Sequence, residues 1–238
     1  MQKALQGIFS LFIKAKPPRK GKRRKSMGQS LVEVAIAFPV LIMLFTGVVE
    51  MGFIMNTYLS LLDATRNSAR TYSGDDPYKE DPAHLGTVPP TLIDDDDFYL
   101  QSALTVQKAL DPSMSYANPA DYKGRRILLD PALDDVIVTV YGATGSTVKV
   151  CRAAGAYHLF PTQGSATGNY PPIFTAPDIQ NSRVTGSPPE GILMVEIHYN
   201  YHHVLGLPWM TAWLPNPLPL RAYTIMPIRA AEPPSRCP

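Results

Sequence analysis

Two carboxylates lie inside a membrane-length apolar stretch, where an ionised side chain is costly. Glu33 lies near the start of the stretch from Leu31 to Met55, and Glu50 lies near its end. Along a helix the two would be about 25 Å apart at 1.5 Å per residue. Acids in such segments usually pair with another charge or reach the headgroups, so both are candidate functional residues. For Glu50, extension to the outer headgroups and a pairing role are equally compatible with the sequence.

Other reactive side chains do not form a recognisable catalytic or metal-binding pattern. On a strand, His198 and His202 would share a face and His203 would lie on the other, but no acid or cysteine completes a metal site. Asp94–Asp97 lack the ligand spacing of a calcium loop, and the pattern favours acids at the start of a helix. Ser146 in "GATGST" lacks a nucleophile elbow. We therefore expect a non-enzyme with no cofactor and no metal.

The positive charge of the chain is concentrated in one short segment. Residues 1–28 contain nine Lys and Arg and no acid, which leaves 13 basic against 20 acidic side chains in the remainder, a net charge of −7. This distribution argues against a nucleic-acid-binding protein and is typical of the cytoplasmic flank of a membrane helix. The sequence therefore predicts a single-pass protein with its N-terminus in the cytoplasm and everything after the span exported.

The elements that must hold these residues begin with one long helix over about 30–72. Its membrane-spanning part would reach to about residue 55, or about 37 Å from Leu31 at 1.5 Å per residue. Pro39 should bend it. Beyond the span, an amphipathic stripe is predicted, with Gly74 and Pro77 ending the pattern. The stripe consists of Met51, Met55, Tyr58, Leu62, Thr65, Ala69 and Tyr72.

Residues 73–238 form the predicted exported region, called here the head. A short helix is expected near 95–110, followed by strands at 134–142, 146–153, 191–204 and 220–228, the first two as a hairpin. The fold class is therefore α+β, with a mostly antiparallel sheet. Cys151 and Cys237 either form a disulfide or remain two thiols. Trp209 and Trp213, in a Pro-rich loop, contact a membrane interface or a partner, or pack in the core.

The segment from about 26 to 72 resembles the N-terminal part of TadE/TadG-like proteins, the minor pilins or pseudopilins of the tight-adherence (Flp-type) pilus. The family pattern has a Gly, a Glu five residues later, a Pro-ended apolar run and a "Gly-x-x-Glu-hydrophobic-Gly" motif. Here these are Gly28, Glu33, "VAIAFP" ending at Pro39, and "GVVEMG" from Gly47 to Gly52. "LDATRNSAR" at 62–70 is similar to a further family stretch, and the last two predicted strands resemble the family more weakly.

The resemblance implies that residues 1–28 are a leader, removed after Gly28 by a prepilin peptidase so that Gln29 becomes the N-terminus. A glycine suits the extended backbone of a protease cleft because it has no side chain. The resemblance also implies a pilin-like head, located outside a bacterial inner membrane or in a surface pilus. It further implies several partners. The partners are the major pilin, other minor pilins, the peptidase, the assembly platform and membrane lipid.

The resemblance further implies that Glu33 pairs with the N-terminal amine of a neighbouring subunit, which would offset the cost of its burial in lipid. The alternative is an interfacial acid in the first helical turn, stabilised by the helix dipole without a partner. For the whole chain, the alternative is an unprocessed bitopic protein whose exported domain binds a ligand or polysaccharide. A bare anchor of that kind has no need of an acid five residues after Gly28.

Overall fold

A long helix and a five-stranded sheet dominate the structure, a computed structural model. It describes residues 27–86, 92–145, 147–182, 187–231 and 237, so the basic tract up to residue 26 lies outside it. The chain divides into two compact units, residues 1–44 and 45–238. Helix α1 runs from Met27 to Tyr72 without interruption at Pro39. It begins three residues before the predicted start.

The remaining elements are short and belong to the head. In chain order they are β1 (Tyr78–Glu80), β2 (Leu92–Asp94), α2 (Asp96–Leu110), β3 (Asp135–Thr144), β4 (Thr147–Val150), β5 (Tyr157–His158), α3 (Ala176–Ser182), β6 (Glu190–Tyr201), α4 (Pro208–Thr211) and β7 (Leu218–Pro227). The helices precede or flank an antiparallel sheet, which confirms the predicted α+β class.

The main sheet has the order β4-β3-β6-β7, and β5 pairs with β3 beside β4. All pairs are antiparallel, and β6 lies between β3 and β7, with Val195 opposite Val138 on one side and Thr224 on the other. The predicted hairpin is confirmed as β3 and β4. Strands β1 and β2 form a separate two-stranded ribbon.

The main core lies between one face of the sheet and two helices, the later part of α1 and α2. Alternate residues of β3, such as Val136 and Val138, face this core, as period-two alternation requires. The later turns of α1 contribute Leu61 and Ala69, and α2 contributes buried residues along one side. The α2 residues are Phe98, Tyr99, Ala103, Val106 and Leu110.

The face of α1 that packs on the head agrees with the predicted stripe in its later turns but not at its start. Met51 and Met55 are 58% and 52% exposed, whereas Ile54, Thr57 and Leu61 are buried. The pattern misled there because the packed face includes polar residues whose hydrogen bonds are satisfied by the head. Thr57 Oγ1 accepts from Arg125 Nη2 at 2.6 Å, for example. The rest of the stripe is confirmed, since Thr65 and Ala69 are fully buried and the other three members pack against the main core, namely Tyr58, Leu62 and Tyr72.

The N-terminal part of α1 carries the other predicted site residues. Gly28 and Gln29 lie at the start of the helix. In the uncleaved chain the first turn of α1 contains no acidic residue, and Glu33 lies one turn later. Glu33 and its neighbours from 31 to 45 are exposed. Among the described residues, α1 is the one helix long and apolar enough to span a membrane.

A disulfide joins the C-terminal segment to the sheet. Cys151, just after β4, is bonded to Cys237, and the Cα atoms are 4.8 Å apart. Both side chains are buried at the edge of the main core. The bond closes a loop of 86 residues, which restricts the unfolded chain strongly.

We expect Cys237→Ser to lower the free energy of unfolding by about 3 kcal/mol, because the unfolded chain regains the freedom of a long loop. The measurement is thermal unfolding of the full chain in detergent. A reducing agent should lower the melting temperature of the wild type to that of the variant and leave the variant unchanged. Equal melting of the wild type with and without reductant would contradict this expectation.

Candidate functional site

The Glu50 carboxylate is fully buried against the head, although α1 before it is apolar and exposed. Its side chain has 0% exposure, and both of its oxygens accept hydrogen bonds. The donors come from the end of β6 and the first residues of the segment 202–217, called here the β6–β7 loop. This cluster, consisting of Glu50, Tyr201, His203, Val204 and Leu205, is the Glu50 site.

Three donors of the Glu50 site have good hydrogen-bond geometry. The Tyr201 hydroxyl donates to Glu50 Oε1 at 2.8 Å, and the backbone N–H of Val204 donates to the same oxygen at 2.9 Å. The N–H of Leu205 donates to Oε2 at 3.0 Å. Hydrogen bonds to an ionised acceptor are about twice as strong as neutral ones. The carboxylate therefore has compensation for the solvation that it loses on burial.

His203 adds a fourth contact and links the site to the far side of the loop. Its Nδ1 atom lies 3.3 Å from Glu50 Oε1, and its Nε2 atom lies 3.0 Å from the carbonyl oxygen of Pro215. A carbonyl oxygen only accepts, so Nε2 carries a hydrogen.

Local sequence explains how the loop presents these donors. Tyr201 is the last residue of β6, paired with Leu218 at the start of β7, so the sheet fixes the hydroxyl. Gly206 then has φ +55°, the left-handed conformation that glycine adopts easily, and turns the chain directly after the two donating amides. Burial, together with the adjacent Glu50, raises the pKa of the Tyr201 phenol. The hydroxyl thus stays protonated and remains a donor.

Further polar contacts join α1 to the head beyond Glu50. Arg125 Nη2 donates to Thr57 Oγ1 at 2.6 Å, and Ser68 Oγ donates to the carbonyl oxygen of Ser102 at 2.7 Å. These bonds recur along the buried face of the helix and fix its rotation relative to the head. Of the three contacts described here, the Glu50 site is the one that involves a buried carboxylate.

The chemistry of the Glu50 site is that of a structural clamp. Both carboxylate oxygens are occupied by donors of the same chain, and the site is closed to solvent. Of the two alternatives left open by the sequence, extension of Glu50 to the headgroups is wrong, because the side chain is covered by protein. The pairing alternative fits, with partners in the head of the same chain.

The three histidines of the predicted strand are separated by the structure. His198 is buried and stacked on Tyr170, with ring centroids 4.7 Å apart, whereas His203 belongs to the Glu50 site. His202 is exposed, and it lies outside β6, which ends at Tyr201. The predicted strand to 204 is therefore three residues too long. Within the described ranges, no cluster of three or more His, Cys, Asp or Glu has a geometry that would hold a metal.

Three of the four aspartates lie at the start of a helix, as predicted, whereas Asp94 is the last residue of β2. Asp95 is the N-terminal cap residue of α2, and Asp96 and Asp97 lie in its first turn. Two of the acids also bind the β4–β5 segment, since Asp96 accepts from the Arg152 guanidinium at 3.1 Å and Asp94 accepts from the Ala153 N–H at 2.8 Å. They orient α2 on the sheet.

A second buried polar pair lies on the opposite face of the sheet. Asp135 Oδ2 is 2.7 Å from His158 Nδ1, and both side chains have no exposure. Asp135 also accepts from the N–H of Phe160. A Cβ atom at Gly168 would collide with both side chains, so the segment after β5 closes tightly over the pair. Because the pair is covered in this way, it attaches the covering segment to the sheet and is inaccessible to a substrate.

Sequence reasoning missed Tyr201, His203 and the two donating amides as members of a site. The donors are separated from Glu50 by more than 150 residues in the chain, and backbone amides have no sequence signature. The one available signal was the presence of Tyr201 and His203 in "HYNYHH", directly before a Gly- and Pro-rich loop. That signal predicts a turn, but it does not predict which residue the turn binds.

We expect Glu50→Ala to lower the free energy of unfolding by about 3 kcal/mol, because it leaves buried donors without an acceptor. The measurement is thermal unfolding of the full chain in detergent, together with proteolysis of the β6–β7 loop, which should become faster. Met51→Ala is the matched control, since it truncates the adjacent, exposed side chain. If the two variants behaved alike, the clamp would contribute nothing to the fold.

The comparisons with known proteins concern the helix that carries Glu50. Residues 28–70 match the model of the family described as TadE-like protein. Neither a curated protein nor a solved structure matches the chain. The matched residues include Gly28, Glu33 and Glu50, and they supply a membrane-length helix. The segment 28–70 is therefore similar to TadE-like proteins, as the sequence predicted, and this similarity supports a membrane-anchored protein associated with the Tad pilus.

Proposed function

We propose that this chain is a minor pilin or pseudopilin of a Tad (Flp-type) pilus, a structural and assembly protein without enzymatic activity. The observation that carries the proposal is the match of residues 28–70 to the TadE-like family. Within the match, Gly28 and Glu33 have the spacing of a processing site and an assembly acid. The partners would be the major pilin, other minor pilins, the prepilin peptidase, the assembly platform and membrane lipid, with no role for nucleic acid.

Charge and disulfide chemistry support one orientation in the bacterial inner membrane. The nine basic residues of 1–28 favour a cytoplasmic N-terminus, because Lys and Arg are retained on that side. The Cys151–Cys237 disulfide favours an oxidising compartment for the head, outside the cytoplasm. Both features agree with a span that begins at Leu31 and a head outside the membrane.

The two acids of α1 would have separate roles in this protein. Glu50 binds the head of its own chain through the β6–β7 loop. Glu33 lies about 25 Å earlier along the helix, among exposed apolar residues, where a carboxylate in lipid is costly. In the assembled pilus it would bind the α-amine of Gln29 on a neighbouring subunit. Docking would then offset this cost, which favours ordered addition of subunits.

Processing after Gly28 is tested by the mass and N-terminal sequence of the protein recovered from membranes. We expect loss of the 28-residue leader and a sequence starting at Gln29. Gly28→Val should block the cleavage, since a branched side chain obstructs an extended backbone in the protease cleft. Gly21→Val, within the leader but away from the cleaved bond, is the control and should be processed normally. A wild-type protein that keeps its leader while functioning would instead indicate the unprocessed bitopic protein.

Glu33→Ala should leave the protein in the membrane and prevent its incorporation into the pilus apparatus, because the pairing charge is lost. The measurement is the amount of the protein in sheared surface fractions, with cross-linking to the major pilin. Val34→Ala is the matched control on the next residue. Wild-type incorporation of the Glu33 variant would rule out the pairing role while leaving the family assignment intact.

A further inference from the structure

We propose that the β6–β7 loop is inserted into the outer interface of the membrane that α1 spans, with Trp213 among the lipid headgroups and upper acyl chains. The ligand of this surface is the lipid bilayer itself. The inference rests on the position of the loop along α1, its composition and the side chains that it exposes. It does not depend on processing or on entry into a pilus.

The Glu50 site fixes the height of the loop on the helix. The amides of Val204 and Leu205 bind the two carboxylate oxygens, so the loop cannot lie far from residue 50. Helical side chains lean towards the N-terminus, and the carboxylate therefore lies over the turn before its own Cα. The loop is thus beside residues 46–50.

The helix surface at this height is still apolar on its other side. Met51 and Met55 are more than half exposed, and the next residue, Asn56, is the first exposed polar residue after Glu50. The apolar band therefore continues about 7 Å beyond Glu50 at 1.5 Å per residue. A bilayer that covers this band also reaches the loop.

The loop has the composition that this position requires. Residues 197–220 contain no Asp, Glu, Lys or Arg, in a head that is otherwise acidic. Trp213 is 88% exposed and Val204 60% exposed, and Leu214 is exposed beside them. Tryptophan is enriched at membrane interfaces, where its ring lies at the level of the headgroups. An exposed apolar loop of this kind in water would be costly, and burial in lipid removes that cost.

Basic side chains follow at the next level of the helix. Arg125 binds Thr57, which lies about 10 Å beyond Glu50 along α1 at 1.5 Å per residue. Lys123 and Arg126 are exposed in the same segment. This order, an uncharged loop and then a cluster of cations, matches the change from acyl chains to anionic headgroups. Glu50 would thus be shielded from lipid by a loop that itself faces lipid.

The test uses the fluorescence of Trp213 in the full chain reconstituted into vesicles of phosphatidylcholine and phosphatidylglycerol. Trp209→Phe leaves Trp213 as the single tryptophan. We expect blue-shifted emission, strong quenching by lipids brominated near the headgroup end of their acyl chains, and little quenching by aqueous iodide. The same measurement on the wild-type chain, with both tryptophans, applies if the variant folds poorly.

The control moves the tryptophan to the middle of β7, farther along α1 from Glu50. Tyr223→Trp, with Trp209→Phe and Trp213→Phe, puts the probe on β7 next to Thr224, which contacts Thr65 about 22 Å beyond Glu50 along α1. That probe should be quenched by iodide and not by brominated lipid. If Trp213 gave the result of this control, or if it were shielded from both quenchers by a protein contact, the proposed insertion would be wrong.

Discussion

The structure depends on the compensation of one buried carboxylate. Glu50 lies in a helix that is apolar before it, and burying its charge is favourable only because Tyr201 and two amides of the β6–β7 loop donate to its oxygens. The interaction is reciprocal, since the donors would be left unsatisfied without the acid. An anchor helix and a distant loop are thereby held in one arrangement, which neither part would specify alone.

The rest of the helix–head packing follows from this constraint. Once Glu50 faces the head, the helical period turns Thr57, Thr65 and Ser68 inwards as well, and each of them finds a polar partner. The outer side of the helix is polar in the later turns, but around Met51 it is apolar and exposed. A soluble protein would expose such a surface at a cost, whereas a chain anchored in a membrane has lipid and neighbouring helices available to cover it.

The sequence predicted the elements better than their contacts. The long helix, the acidic start of α2 and the β3–β4 hairpin all follow from local patterns, because capping residues, β-branched alternation and turns act over a few residues. The orientation of α1 was predicted in this way only for its later turns, where Thr65 and Ala69 are buried. At its start the amphipathic pattern selected Met51 and Met55, which are exposed, because the hydrogen bonds of Glu50 to distant residues decide which side is buried there. The Glu50 site was missed for the same reason, since two of its donors are backbone amides in a loop 154 and 155 residues away.

The most direct test of the clamp is amide hydrogen exchange at Val204 and Leu205 in the full chain in lipid nanodiscs. Amides that donate to a buried carboxylate should exchange slowly, although they lie in a loop, and the protection should disappear at both positions when Glu50 is replaced by alanine. Rapid exchange of both amides in the wild type, or protection that survives the substitution, would show that the acid does not hold the loop.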